Sequence, residues 1–345
     1  MKREGILIVQ GAFLGDLILT LPLITLLGKS VAEPIGVVAR VGAGELLCDV
    51  PMVNHLHLWD RNKGFGELLR VAREIKAQNY RIALIPHRIL KAAFIPFWAR
   101  LPHRVGFARQ PGWWLNTRLV SYHRPSHEVQ RVLSLTQPLS LPLTELDYGI
   151  KPAPEIVDKV KGDLKSAGWM NQPMIIVAPG SFWATKTWTA EGFATVAEHY
   201  AGKGFLPVLV GSAEETKDTA VMLGRKGDTC IDMGGKTDIR ELAALVSLGD
   251  LLVSNDSAPA HLGAAFNVPT VAVFCGTSPD LGFAPFGPRA QAVWGSAKCS
   301  PCGRTGRRTC CNGTWDCRER VKPEFVIKVL QETARKIVPT ARHHH

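Results

Sequence analysis

The chain has 345 residues, more than one ordinary hydrophobic core organises and enough for two domains. Its 46% apolar content and near-zero mean hydropathy belong to a globular protein, and no apolar run is long enough to span a bilayer as a helix. With 41 basic against 30 acidic residues the net charge is +11, which suits a partner bearing phosphates; the excess forms no single Lys/Arg tract, which argues against a nucleic-acid stripe.

The N-terminus is charged and then apolar, but the apolar part is short, breaks at Gly11 and lacks a small-residue cleavage site. It reads as a first strand, 6–10 (ILIVQ), not as a signal peptide. The loop GAFLGD and an apolar stretch over 17–27 follow, giving strand, loop and helix, with Gly11 and Gly15 allowing close approach of the backbone to a ligand. Two glycines alone do not make a dinucleotide fingerprint. Further strands are predicted at 35–38, 55–58, 82–86 and 105–107, and helices over 65–78 and 127–139. Alternation of this kind predicts a parallel sheet covered on both faces.

Around 139–154 the pattern lapses into a proline-rich stretch, and the domain boundary is placed there, at about 155. The same grammar then restarts. Strands are predicted at 174–178, 206–210, 251–253 and 270–274, and helices over 189–200, from about Ala213, and over 238–248 with Asp238 and Glu241 spaced as a capping box. An amphipathic helix over 323–338 closes the chain. The expectation is two doubly wound, Rossmann-like α/β domains facing a cleft, 1–155 and 156–322. The terminal segment 323–340 is expected to pack back towards the first domain.

The stretch LLVSNDSAPAH, 251–261, is a buried strand that stops at a helix N-terminus with Pro259 in the first turn. Backbone N–H groups and the positive end of a helix dipole gather at such a junction and suit a phosphate; the competing reading is that Asp256 and Ser257 only cap the helix. In APGSFWATKTW, Gly180 and Ser181 offer a tight turn and a hydroxyl, and Lys186 is the one cation of the loop, either an anion contact or an ordinary solvated lysine. Trp188 reads as a packing residue. His261 falls one turn into the helix, as a ligand contact or a structural histidine. Asp16 lies at the carboxyl end of the first strand, where a carboxylate can take a proton from an acceptor hydroxyl; its alternative is the N-cap of a helix starting at Leu17. No Asp-x-Asp pair occurs, so the metal clamp common on nucleotide diphosphates has no ligands here, and a departing diphosphate would be met by Lys186, hydroxyls and the helix N-terminus.

These residues carry a resemblance. The chain resembles the bacterial ADP-heptose:lipopolysaccharide heptosyltransferases of glycosyltransferase family nine, most of all the branch that adds the second heptose. The similarity rests on GAFLGDLILTLPLI, ARLPHRVGFARQPGWWLNTR, APGSFWATKTW, LVGSAEE and VSNDSAPAHLGAAFNVPTVAVFCGTSPD, and spans almost the whole chain. It implies a GT-B architecture and an inverting, metal-independent transfer with no cofactor. It assigns Asp16 as catalytic base and Lys186, with Gly180 and Ser181 beside it, as the diphosphate contact. Asp256, Ser257, Ala258 and His261 would hold the nucleotide, Glu214 or Glu215 the ribose, and Thr237 the adenine. Ala258 departs from the family, which often has Gly there; a helix-entry conformation would suit Ala. The first-domain bases Arg88, Lys91, Arg104 and Arg109 are placed for the acidic sugars and phosphates of an inner-core acceptor, or are simply exposed on a solvated face.

The five cysteines Cys299, Cys302, Cys310, Cys311 and Cys317 fall within nineteen residues. Four of them, Cys299, Cys302, Cys310 and Cys317, form a candidate structural cluster. Zinc and iron–sulfur readings stand beside a reduced or partly disulfide-linked loop, and the loop without metal is the expectation. The reading as a whole is a heptosyltransferase that takes ADP-heptose and a lipopolysaccharide inner-core acceptor. It is expected to be a cytoplasmic monomer that touches the anionic inner face of the membrane and binds no nucleic acid. The alternatives are a family relative with another donor or acceptor, or a non-catalytic protein that binds metal and polyanion.

Overall fold

The computed structural model describes residues 4–141, 147–225 and 230–336. The chain divides into two units, Met1–Lys151 and Pro152–His345. In the first, β1 (Ile6–Gln10) is followed by α1 (Leu14–Ile18), α2 (Leu21–Ser30), β2 (Ile35–Arg40), β3 (His55–Trp59), α3 (Phe65–Gln78), β4 (Ile82–Ile85), α4 (Leu90–Trp98), β5 (His103–Phe107), β6 (Arg118–Val120) and α5 (Glu128–Leu133). In the second, α6 (Pro154–Ser166) precedes β7 (Met174–Ala178), α7 (Ala190–Ala201), β8 (Leu206–Leu209), α8 (Ala213–Arg225), β9 (Ile231–Asp232), α9 (Ile239–Leu248), β10 (Leu251–Asn255), α10 (Ala258–Ala265), β11 (Thr270–Phe274), β12 (Ala290–Trp294), α11 (Asp316–Glu319) and α12 (Pro323–Arg335).

Each unit holds a six-stranded sheet, in the orders β3-β2-β1-β4-β5-β6 and β12-β11-β10-β7-β8-β9. The strands pair in parallel throughout, with Ile8 beside Val37 and Leu84 in one sheet and Val253 beside Val177 and Val271 in the other. Every residue of β1, β7, β10 and β11 is buried, as helices on both faces require, which is why these strands read as unbroken apolar runs. In both sheets the order reverses beside the first strand, between β1 and β4 and between β7 and β10. The loops leaving the carboxyl ends of those strands are where this architecture receives ligands.

The differences from the sequence reading have local causes. The apolar stretch 17–27 is two helices, because Pro22, at the second position of α2, has no N–H with which to continue α1. Thr20 turns its N–H to the Leu17 carbonyl and gives its hydroxyl to the Asp16 carbonyl at 2.8 Å. The helix expected over 127–139 stops at Leu133 and tightens into a 3-10 run, Ser134–Leu139, that contains Pro138. The short edge strand β6 and the helices α4 and α6 carried no signal that was read. Asp238 does form its capping box: its carboxylate accepts from Glu241 N at 2.8 Å, and its own N–H reaches Glu241 Oε2 at 2.9 Å. The helix α12 packs on α7 and on β10, β11 and β12; the last part of the predicted terminal helix, 337–338, lies outside the described residues.

Candidate active site

At the second sheet's reversal, β10 delivers Asn255 and Asp256, and the loop after β7 delivers Lys186 at the end of a 3-10 turn, Ala184–Lys186. Lys186 Nζ lies 2.7 Å from Asp256 Oδ2 and 3.4 Å from the Asp256 carbonyl; the two side chains are 16% and 6% exposed. Thr277, on the loop after β11, donates to the same Asp256 oxygen at 2.7 Å. Asp256 therefore caps nothing. Its carboxylate has the wrong sign to meet a diphosphate and instead fixes the ammonium that can. Sequence reasoning gave Thr277 no role, although its place at the end of the neighbouring strand was a usable signal.

Asn255, fully buried, ties the loop down. Its Oδ1 accepts from Trp188 N at 2.8 Å, and its Nδ2 donates to the Pro179 carbonyl at 2.6 Å. Trp188 is a packing residue as read: it is buried, donates to the Val321 carbonyl at 3.2 Å and stands edge-on to Phe193. Ser257 occupies the N-cap of α10 but makes no side-chain cap bond; its hydroxyl lies 3.1 Å from that of Ser254. The start of α10 is thus not closed off by its own cap. Ala258 begins the helix and is not among the residues at positive φ, so Gly is not required there. His261 is buried one turn into α10.

Gly180 abuts the Glu215 carboxyl so closely that a Cβ would stand 2.3 Å from Glu215 Cδ. Glu215 also closes the start of α8, accepting from Ser212 N at 2.8 Å, whereas Glu214 is exposed. Of the two candidates, the structure brings Glu215 to the Gly180–Ser181 turn. Thr237 is half-buried in the loop between β9 and α9.

In the first unit, Asp16 lies in the first turn of α1, whose N-cap is Phe13, so the capping alternative fails for this residue as well. Gln10 Nε2 donates to Thr20 Oγ1 at 2.9 Å, and Thr20 in turn holds the Asp16 carbonyl. Beside it is a cavity of 570 Å³ lined by Phe13, Arg40, Arg61, Asn62, Leu90 and Lys91 among others. Arg61 donates to the Gly11 carbonyl at 3.3 Å; burial and the neighbouring Arg40 lower its pKa, while Asp16 raises it. Gly11 is small for another reason than the one expected: a Cβ there would stand 2.4 Å from the Trp59 ring, so it accommodates Trp59.

Of the four proposed acceptor bases, only Lys91 lines this cavity. Arg88 lies 4.3 Å over the Tyr122 ring and 3.7 Å from Glu128, in a network with buried Arg131. Arg104 is spent on the carbonyls of Leu115, at 2.7 Å, and Leu101. Arg109 is exposed in the turn after β5. The bases that do converge with Lys91, Arg40 and Arg61, come from the carboxyl ends of β2 and β3. Their position relative to the strands was the available signal.

The cysteine segment sorts differently from its sequence grouping. The sulfurs of Cys299, Cys302 and Cys311 all lie within 4.8 Å of one another. Cys310 donates instead to Asn312 Oδ1 at 3.0 Å, and Cys317 is buried beside Cys275. Cys311 therefore replaces Cys310 and Cys317 in the cluster: Cys310 is committed to Asn312, and Cys317 is packed into the core with Cys275.

A family model, glycosyltransferase family 9 (heptosyltransferase), matches residues 68–312 and so takes in both strand-end loops of the second unit. The chain belongs to glycosyltransferase family 9. As such it is an enzyme, a glycosyltransferase, and its two parallel-sheet α/β domains are those of the GT-B fold. It is similar to lipopolysaccharide heptosyltransferase 2 of Salmonella typhimurium, 25% identical over 80% of this chain and 84% of that protein. It is also similar to lipooligosaccharide heptosyltransferase 2 of Haemophilus ducreyi, 29% identical with the same coverage. Among solved structures, E. coli ADP-heptose lps heptosyltransferase II matches with TM-score 0.77 at 22% identity, covering 97% of this chain and 98% of that one. A family 9 glycosyltransferase from Veillonella parvula matches with TM-score 0.86, at the same identity and coverage. Among the described residues of this family 9 member, no helix is long and apolar enough to cross a membrane.

Proposed function

We propose that this glycosyltransferase moves heptose from ADP-heptose onto the first heptose of the lipopolysaccharide inner core, with inversion and without a metal ion. The observation that carries the donor reading is the Lys186–Asp256–Thr277 arrangement, which fixes one ammonium at the sheet's reversal beside the start of α10. Relatives named heptosyltransferase 2 support the acceptor, and the E. coli heptosyltransferase WaaC, solved with ADP, supports the nucleotide.

In this mechanism Asp16 takes the proton of the acceptor hydroxyl as its oxygen forms the new bond to the anomeric carbon. The bond from that carbon to the β-phosphate oxygen breaks with its electron pair, and ADP leaves. Lys186 and the first-turn N–H groups of α10 meet the charge that develops on the diphosphate. Ser181 and Glu215 serve the donor beside them. The cations Arg40, Arg61 and Lys91 hold phosphates of the acceptor. The net charge of +11 favours work as a monomer against the anionic cytoplasmic face of the membrane, where the acceptor's lipid stays.

The test is transfer from ADP-heptose to a heptose-bearing core acceptor, with the product's anomeric configuration read by NMR. Wild type is expected to work during brief exposure to chelator, and Asp16→Ala to be inactive. Full activity in Asp16→Ala would remove the base, immediate loss on chelation would remove the metal-free route, and preference for another nucleotide-sugar would reassign the donor.

A further inference from the structure

We propose that Cys299, Cys302 and Cys311 form a thiolate site for a divalent metal ion, zinc by ligand softness, and that the ion clasps the loop that buttresses Lys186. Zn–S bonds of 2.3 Å in a tetrahedron place sulfurs about 3.8 Å apart. Cys302 Sγ and Cys311 Sγ are 3.7 Å apart, and all three sulfurs fall within 4.8 Å. A disulfide would use two sulfurs at bond distance and give no reason for a third to converge. Cys302 is buried, Cys299 half-buried and Cys311 exposed, so the fourth tetrahedral position is left to a solvent ligand on the open side.

The consequence lies in what the loop between Cys302 and Cys311 touches. Its base is closed by those two sulfurs. Near its far end, Arg307 grips Thr185: Thr185 N donates to the Arg307 carbonyl at 3.1 Å, and Arg307 N donates to Thr185 Oγ1 at 2.7 Å. On the base side, Cys302 N donates to the Gly276 carbonyl and Gly276 N to the Thr185 carbonyl, each at 2.7 Å. Gly306, at φ +87°, lies so close that a Cβ would stand 3.2 Å from Lys186 Cγ. Arg318 adds a bond to the Ala184 carbonyl at 2.6 Å. Thr185, one residue before Lys186, is held from two sides by a loop whose closure the metal would fix. The binding site stands without the functional reading. Its relevance to the donor rests on that reading, and for this reason the test uses no transfer assay.

The experiment takes the full chain without His343–His345, which bind metals themselves, purified without a chelating resin. Elemental analysis is expected to find one equivalent of metal per chain, lost in Cys302→Ser and Cys311→Ser and kept in Cys310→Ser. Exposed Cys311 is the variant least prone to misfold. Cobalt(II) added to metal-stripped wild type is expected to give sulfur-to-metal charge-transfer absorption, weakened in Cys311→Ser. Hydrogen exchange of metal-stripped protein is expected to quicken about tenfold or more at the amides of Thr185 and Arg307 and to stay unchanged in β7. Metal-free wild type with no cobalt absorption, or a Cys302–Cys311 disulfide in the purified protein, would overturn the site. Stoichiometric metal whose removal leaves those two amides protected would overturn the clasp.

Discussion

The two sheets share one strand order, yet their reversal points are finished in opposite ways. In the first unit three cations, Arg40, Arg61 and Lys91, surround an open cavity of 570 Å³, held through the backbone and through aromatic contact such as Arg40 over Phe13 at 5.0 Å. In the second a single cation is locked by a carboxylate at 2.7 Å in a nearly closed network. An open ring of positive charge suits an anion that varies in shape and arrives from solution. A locked ammonium suits charge that develops at one point, because it needs no reorganisation when that charge appears. Under the proposed function, the same scaffold serves capture in one unit and preorganisation in the other.

Several substitutions sharpen or break this contrast. The largest effect is expected from Asp16→Asn, which should lower kcat by about 10²–10⁴-fold, an effect out of proportion to any change in the denaturation midpoint, since Asp16 is not the N-cap of α1. Loss of stability in that variant would make Asp16 structural. Lys186→Met should behave oppositely and destabilise by about 3–5 kcal/mol, because Asp256 is left buried without its partner. Adding Asp256→Leu should restore most of that stability in urea titrations and none of the transfer. If activity returned with stability, the ammonium would have only a packing role.

Smaller effects belong to the cavity. Arg61→Met is expected to raise KM for a phosphate-bearing acceptor about tenfold with kcat little changed, and to have no effect on a dephosphorylated one. The smallest effect at neutral pH concerns His87, beside the Trp59 ring and behind this cavity. Burial, and then Arg61 and Arg88, lower its pKa from 6.5 to about 3. The unfolded chain takes up a proton that the folded one refuses, so this contribution is complete above pH 6.5 and is lost as pH falls towards 3. His87→Asn should therefore flatten the acid side of the stability profile, by at most about 1.4 kcal/mol per pH unit, and leave its slope above pH 6.5 unchanged.

Legibility followed the range of the interactions. Asp238 and Glu241 satisfy each other within one turn, so their spacing alone announced the capping box. The strands β7 and β11 were found to the residue because burial on both faces leaves an uninterrupted apolar run. The edge strand β6, three residues with two of them exposed, has no such run. The acceptor bases fared worst. Arg104 and Lys91 are equivalent as letters, and only the carbonyls of Leu101 and Leu115 decide that the first is committed inside the fold.

The chain by itself determined the two-domain parallel architecture, the loops that carry Asp16, Lys186 and Asp256, and the resemblance to family 9, all of which rest on periodicity and on contiguous motifs. Tertiary structure alone decided that Asp256 holds Lys186 instead of capping a helix, that Arg40 and Arg61 line the cavity, and that Cys311 joins Cys299 and Cys302. Each of those outcomes depends on the direction of a side chain across elements distant in sequence. That direction is set by packing, which no local pattern of residues records.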